Sequence, residues 1–553
     1  MRSFLVVVLL VAAASAVAAP PTRTGAAAWR SDLDTLRREL PIRHPAPFLN
    51  VPRARWDSAA TTLDRQLPTM SRNQALVGFM RLVAMLGDAH TNLDPGPALG
   101  LRFYPLELYA FDDGVFVRRA DSTHAALVGA KVLRIGRVSA EEAIERVAPL
   151  IPHENEWWVR AWAPFQLMIP EVLDGLGLAA DVEHLPLVLE RDGRADTVRI
   201  APAGRIADQH GHGPLPIDMS GWTMMRTARA PWWEQQPDEL LWWRFDAPSR
   251  TLYVCMRAVA PSPGTFTNRP QWDRIFALAD SVAPARFVID LRENTGGNGG
   301  LNRYPVQQLL RRPALDKPDR LFVIIGRKTF SAGQQFTNLL EAWTQATFVG
   351  EPTGQRPSQY GDHRPLVLPA SGMTVQISSI FHQAPNEFDD RAFVPPRVYT
   401  PLDSKSYREG VDPALLALLS PDTTAPVIDV MARALAAGDT AAAERALATA
   451  RSRTVNRFRS FERDVNALGY RLSGSGQSEP AIEAFRINTR AFPHSANTFD
   501  SLGEALLNAG YRDAAIAAYR QALVVEPGFR PSAEALQRIG AHPQRTGGAG
   551  EAR

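Results

Sequence analysis

A chain of 553 residues, 45% of them hydrophobic, has enough material for several packed domains. Its formal charge of +3, from 61 basic and 58 acidic residues with no long Lys/Arg run, excludes the electrostatic footprint of nucleic-acid binding. A single cysteine, Cys255, excludes an internal disulfide, so the fold must rest on its core.

Residues 1–18 read as a secretory signal peptide. Arg2 supplies the positive start, residues 4–14 the apolar stretch, and Ala16-Val17-Ala18 the small-x-small cleavage pattern. The rival, an uncleaved anchor, needs a longer apolar run. The expectation is an exported protein, periplasmic or extracellular, with no stable membrane anchor after cleavage.

Residues 26–98 read as a helical lead-in. Trp29, Leu33, Leu36 and Leu40 recur at helical spacing before Pro41. A second helical run, residues 72–86, leads into Gly87-Asp88-Ala89-His90-Thr91. Taken by itself, this is a turn capped by Asp88, with His90 as a hydrogen-bonding side chain.

Residues 99–200 alternate strands and turns: PLELYAF, GVFVRRA, and AKVLRIG followed by a helical run. Residues 129–136, GAKVLRIG, resemble the tail of a PDZ-like peptide-binding module. Residues 185–200 read as a hairpin about Asp192-Gly193. Trp157, Trp158 and Trp162 read as packing residues. His210 and His212 form an H-x-H without a third ligand nearby, so no metal site is expected. Trp222, Trp232, Trp233, Trp242 and Trp243 either line a hydrophobic cleft or cover the core.

The stretch from residue 287 to 340 carries the chemistry, within a region spanning 201–420. Residues 287–291 and 321–325 have the length and β-branched content of buried parallel strands. The first runs into Gly296, Gly297, Gly299 and Gly300. The second runs through Thr329 and Phe330 into Ser331, Ala332 and Gly333, then into a helix over 334–341. A serine on such a turn faces helix N-terminal N–H groups, which favour a developing oxyanion. The glycine turn lacks the endings of the common phosphate loops. A serine such as Ser331, taken alone, is more often a helix N-cap than a nucleophile.

Together IDLRENTGG, TFSAGQQF and FVGEPTG, in that order, resemble the S41 serine peptidases, which include C-terminal processing peptidases and the tricorn core. The resemblance spans residues 29–413. It implies an α/β crotonase-like (ClpP-like) catalytic core with the helical lead-in and a PDZ-like insert. It implies Ser331 as nucleophile and an oxyanion hole from N–H groups at Gly296 or Gly297 and Ala332. GDAHT occupies the position where tricorn-like members carry the general base, which points to His90. A carboxylate shortly before a Val-x-Pro-like stretch completes their charge network, and Val394-Pro395-Pro396 puts Asp390 nearest, with Asp389 and Glu387 as alternatives. Active members commonly pair the serine with a lysine two to three dozen residues downstream, but no lysine lies between Lys328 and Lys405. A Ser–His–carboxylate mechanism on a peptide or protein substrate is the expectation, needing neither metal nor organic cofactor. Two rivals stand: an inactive S41-fold peptide-binding scaffold, and a hydrolase acting on an ester or modified peptide.

Residues 425–540 change to Ala-rich helices. Leu468-Gly469 recurs as Leu502-Gly503, Phe485 as Tyr519 and Pro493 as Pro527, each 34 residues on, which is the tetratricopeptide (TPR) period. An all-α TPR domain for a protein partner or self-association is expected, with residues 425–451 as a degenerate unit preceding the two repeats and a disordered tail over 541–553.

Overall fold

The computed structural model describes residues 25–95, 99–206, 219–226, 230–419 and 427–541. The expected signal peptide, His210, His212 and all but the first residue of the expected tail lie outside them.

A six-stranded sheet positions the chemistry. Its order is Leu241–Asp246, Thr251–Met256, Arg286–Asp290, Leu321–Ile325, Thr347–Gly350 and Val398–Tyr399. The first pair is antiparallel and the rest are parallel, with Phe287 opposite Leu321 and Asp290 opposite Ile324. Both faces are covered, which explains why residues 287–289 and 321–325 of the central strands are apolar in succession rather than alternately. Leu252, Val254, Ile289 and Val323 pack on one side against Trp272, Phe276 and Phe336 from the crossover helices. Tyr253, Cys255, Val288, Phe322 and Ile324 pack on the other against Ala414, Leu415 and Leu418. Cys255 is buried, and burial pushes its thiol up to about 12, so it stays a neutral core residue.

Ahead of the sheet stand three helices, Ala26–Arg43, Arg53–Gln66 and Arg72–Ala84. Ser71 starts the third through a reciprocal capping box with Gln74. A second antiparallel sheet follows, ordered Thr223–Met224, Gly114–Ala120, Lys131–Ile135, Leu185–Arg191 and Arg194–Ile200, with Leu106–Phe111 added on Gly114–Ala120. Its hairpin turns at Asp192 and Gly193, both at positive φ, the two-residue geometry that an Asp-Gly pair favours. Helices and sheet share one apolar cluster, and Phe330, the residue before Ser331, inserts into it. The nucleophile candidate therefore sits on the seam between two cores.

Trp233 and Trp242 are buried and Trp243 packs on the main core. Trp222 lies against Phe103 and Trp232 against Tyr253. This places the five tryptophans in packing rather than in the cleft at Ser331.

The C-terminal region consists of antiparallel helix pairs: Val427–Ala436 with Thr440–Ser452, Phe461–Gly474 with Ser478–Ala491, and Ala496–Asn508 with Arg512–Val525, then Arg530–Arg538. The repeated glycines have one physical reason. A Cβ on Gly469 would stand 2.5 Å from the Phe485 ring, and one on Gly503 would stand 2.7 Å from the Tyr519 ring. In both of these pairs the aromatic ring of the second helix rests directly on the backbone of the first.

Candidate active site

The strand Leu321–Ile325 ends in a turn that is tied down at every step. Thr329 Oγ1 accepts from Gly326 N–H at 3.0 Å and donates to the Leu291 carbonyl at 2.8 Å. Phe330 N–H donates to the Asn294 carbonyl at 3.0 Å. Ser331 is thereby held at φ 53° and ψ −124°, and the helix Ala332–Trp343 starts at once. A non-glycine residue in that region of φ/ψ is strained and persists only because its surroundings impose it. Asn302 Nδ2 donates to the Ala332 carbonyl at 2.8 Å and pins the first turn of the helix. The side chain is thrown out at the C-terminal edge of the sheet, where open α/β sheets bind their ligands.

The glycine turn approaches from the neighbouring strand. Beneath it Arg292 bridges Asp290 and Asp412, each at 2.9 Å, which accounts for the charged pair in IDLREN. Gly296 has φ 123°, and a Cβ there would fall 2.6 Å from Ser331 Cβ. Its N–H is already donated to Asn294 Oδ1 at 3.0 Å. Of the three oxyanion candidates, Gly296 thus supplies close approach. Among the described residues, the N–H groups of Gly297 and Ala332 have no acceptor, which suits them to hold an oxyanion.

The GDAHT turn brings in the histidine. Asp88 organises it, accepting from His90 N–H at 3.0 Å, from Thr91 Oγ1–H at 2.6 Å, and lying 3.0 Å from His44 Nε2. Burial raises the Asp88 carboxyl, but the His44 hydrogen bond, the His90 charge and the Ser378 and Thr91 hydrogen bonds outweigh it and hold the group down at about 2. The strand Asn92–Asp94 then pairs with Thr374–Ile377 and fixes the turn in place. The His90 ring stacks on Phe330. Phe330 lies 4.4 Å from it, centroid to centroid, and Trp158 lies 4.1 Å from Phe330 on the far side. Trp158 is a packing residue that backs the Phe330 ring on which the histidine stacks.

The result is that His90 Nε2 stands 2.9 Å from Ser331 Oγ, although the two are 241 residues apart in sequence. His90 is 3% exposed. Burial pushes its imidazole down to about 4, with His363 and His382 adding to the fall and Asp88 and Asp362 opposing it. At neutral pH it is an uncharged ring beside a hydroxyl, the two groups from which a nucleophile and its base are made.

Asp390 is not brought to His90. It is exposed, and its carbonyl accepts from Arg356 at 3.5 Å. Asp389 is held by Arg391 at 2.6 Å, and Glu387 is exposed. The group at His90 Nδ1 is instead Gln355, whose Nε2 lies at 3.1 Å. Gln355 Nε2 also donates to Glu154 Oε1 at 3.3 Å, and Gln355 Oε1 accepts from Ser331 N–H at 2.6 Å. Gln359 Nε2 donates to the Ser331 carbonyl at 3.0 Å. Sequence reasoning missed Gln355 and Glu154. Gln355 follows Ser331 by 24 residues, within the interval searched for a lysine, and that spacing was the available signal. Lys328 pairs with Glu293 at 2.8 Å and lines a different recess.

Burial pushes the Glu154 carboxyl up to about 8, and Asp88 repels the charged form further, while the Gln355 hydrogen bond only partly offsets them. The folded state therefore binds this proton more tightly than the unfolded chain does. The resulting stability is fully present below an unfolded pKa of about 4.3 and is lost as pH rises toward 8. Glu154→Gln should flatten the decline in Tm between pH 5 and pH 8, a difference of about 2–4 kcal/mol at the alkaline end. Thermal unfolding of both proteins across that range checks it, and parallel profiles would remove Glu154 from the pH response.

Ser331 opens onto a cleft of about 1170 Å³, lined among others by Gly297, Arg303, Leu310, Trp343 and Phe381. Leu310, Trp343 and Phe381 are all exposed there, a surface suited to apolar side chains. Among the described residues no group of three or more His, Cys, Asp or Glu could hold a metal ion, and no helix is long and apolar enough to cross a membrane.

No family model matches the sequence, and no curated protein matches it. Solved structures do. The chain is similar to mature CPAF complexed with lactacystin, at 12% identity and a TM-score of 0.50, over 69% of this chain and 96% of that one. A second structure of mature CPAF aligns at 13% identity and a TM-score of 0.49, over 72% and 97%. The photosystem II D1 C-terminal processing protease aligns at 12% identity and a TM-score of 0.34, over 72% and 98%. At these identities the likeness is one of fold, carried by the first of the three.

Proposed function

We propose that this protein is a serine peptidase of the S41 type that cleaves peptide bonds in peptide or protein substrates. The observation that carries the reading is the 2.9 Å approach of a buried histidine to a serine on a strained strand-to-helix turn. Ser331 Oγ attacks the scissile carbonyl. His90 accepts the Ser331 proton and returns it to the leaving amine. Gly297 and Ala332 N–H groups hold the tetrahedral oxyanion. Asp88 holds the histidine turn, and Gln355 with Glu154 stands where a triad would carry its carboxylate. The apolar cleft suits a substrate with hydrophobic side chains about the scissile bond. The likeness in fold to mature CPAF supports an S41 core. The sequence alone supports residues 99–200 as a PDZ-like insert and residues 425–540, with their 34-residue period, as a TPR domain docking a partner or a second copy. An exported location, periplasmic or extracellular, rests on the sequence of residues 1–18.

A fluorophosphonate probe followed by digestion of a peptide library tests the reading. Covalent labelling at Ser331 with peptide cleavage is expected. Labelling with cleavage of esters alone would make the protein an esterase. Absence of both in a folded sample would leave a binding scaffold.

A further inference from the structure

The contacts of one side chain, Gln355, bear on which nitrogen of His90 carries its proton. Gln355 Oε1 lies 2.6 Å from the Ser331 backbone N–H, which can only donate, so this atom must be the amide oxygen. The amide nitrogen then necessarily faces His90 Nδ1, at 3.1 Å. An NH2 group can only donate, so Nδ1 must be the accepting nitrogen of the neutral ring, and the ring proton lies on Nε2. His90 therefore donates to Ser331 Oγ across the 2.9 Å contact. Hydrolysis requires the reverse: Nε2 must start bare to take the hydroxyl proton, and Nδ1 must carry its proton to an acceptor.

Turning the amide over does not cure this. Oε1 would then accept from Nδ1–H, but the NH2 would oppose the Ser331 N–H, donor against donor. Glu154 favours the present orientation as well, because its Oε1 accepts from the same Nε2 at 3.3 Å. Three contacts, to Ser331, His90 and Glu154, thus agree on one orientation of Gln355 and one tautomer of His90.

We propose that Gln355 is a positioning residue that stores the Ser331–His90 pair in the non-basic Nε2–H tautomer, so that turnover begins only when Nδ1 is released from it. This rests on the reading of Ser331 and His90 as the reacting pair. A carboxylate in place of the amide removes the conflict. It accepts from Ser331 N–H and from His90 Nδ1–H at once, and three donors, with the Glu154 hydroxyl as the third, keep it ionised in the buried site.

The test compares the full chain with Gln355→Glu. Histidine labelled with 15N in the ring reports the tautomer without substrate, and the His90 signals are assigned by their loss in His90→Ala. The wild type should carry its proton on Nε2 and Gln355→Glu on Nδ1. The fluorophosphonate labelling rate and kcat should both rise at least tenfold in the variant, with KM within twofold. A wild-type proton on Nδ1 overturns the proposal. So does a folded Gln355→Glu protein whose proton stays on Nε2, or whose rates do not rise. If the variant fails to fold, the wild-type tautomer decides alone. Failure of the peptidase reading looks different: the tautomer moves as expected, and neither protein is labelled at Ser331 or cleaves peptide.

Discussion

Replacing Ser331 by alanine should abolish peptide hydrolysis and fluorophosphonate labelling while the protein unfolds almost where the wild type does. Loss of a nucleophile that works as a unit with its base costs about 10⁴ to 10⁶ in kcat. The structural side of the exchange is small. The strain at φ 53° belongs to the backbone and is the same for alanine. The N–H that Ser331 gives to Gln355 Oε1 and the carbonyl that accepts from Gln359 both survive. Only the 2.9 Å contact to His90 goes, a net loss of about 1 kcal/mol, or roughly 2–4 °C in Tm for domains of this class. Steady-state hydrolysis and a melting curve on the same preparation check both halves. A variant that keeps wild-type kcat would end the mechanism, and one that loses activity together with its fold would show nothing about chemistry.

The parts of the site that were legible in sequence are those whose signal is local. Ser331 announces itself because an apolar strand, a turn of small residues and a helix must follow one another within about a dozen residues. The turn holding Gly296 does so because two adjacent glycines after a buried strand mark close backbone approach, here to Ser331 Cβ. His90 could be singled out only through the resemblance of GDAHT, since nothing in the residues near it says that a serine 241 positions away will arrive at 2.9 Å. Its partner was not legible. A search for a carboxylate selects by charge, and the acidic loop around Asp390 offers charge without proximity. The group that meets Nδ1 is a neutral amide in a loop, and Glu154 lies before an aromatic helix with no motif about it. Both matter through burial and three-dimensional convergence, which sequence spacing does not encode. The helical repeats are the opposite case. Gly469 and Gly503 repeat because each must admit one aromatic ring, so the packing rule is written directly in the period.

Burial also moves the expected pH response. An ordinary imidazole titrates at about 6.5, which would place the acid limb of kcat/KM at about 6 to 7. His90 is instead pushed down to about 4, because the folded protein withdraws it from water beneath Phe330 and faces it with His363 and His382, which outweighs the attraction of Asp88. A lowered imidazole pKa means that the neutral ring, from which any proton-accepting tautomer is drawn, persists to lower pH. kcat/KM should therefore hold level from pH 7 down to about 5 and fall through an apparent pKa of about 4. His90→Ala should lose about 10⁴ to 10⁶ in kcat/KM and the limb with it. Lys328→Met is the control: it breaks the 2.8 Å pair with Glu293 away from the cleft and should cost about 1 kcal/mol of stability with little change in rate. The measurement is a pH profile of the three proteins on one reporter peptide, taken above the pH at which each unfolds. A limb near 6.5 in the wild type would mean that the working base is a more solvated histidine than the buried His90. Loss of activity in Lys328→Met with retention in His90→Ala would hand the base to the lysine and overturn the Ser331–His90 pair.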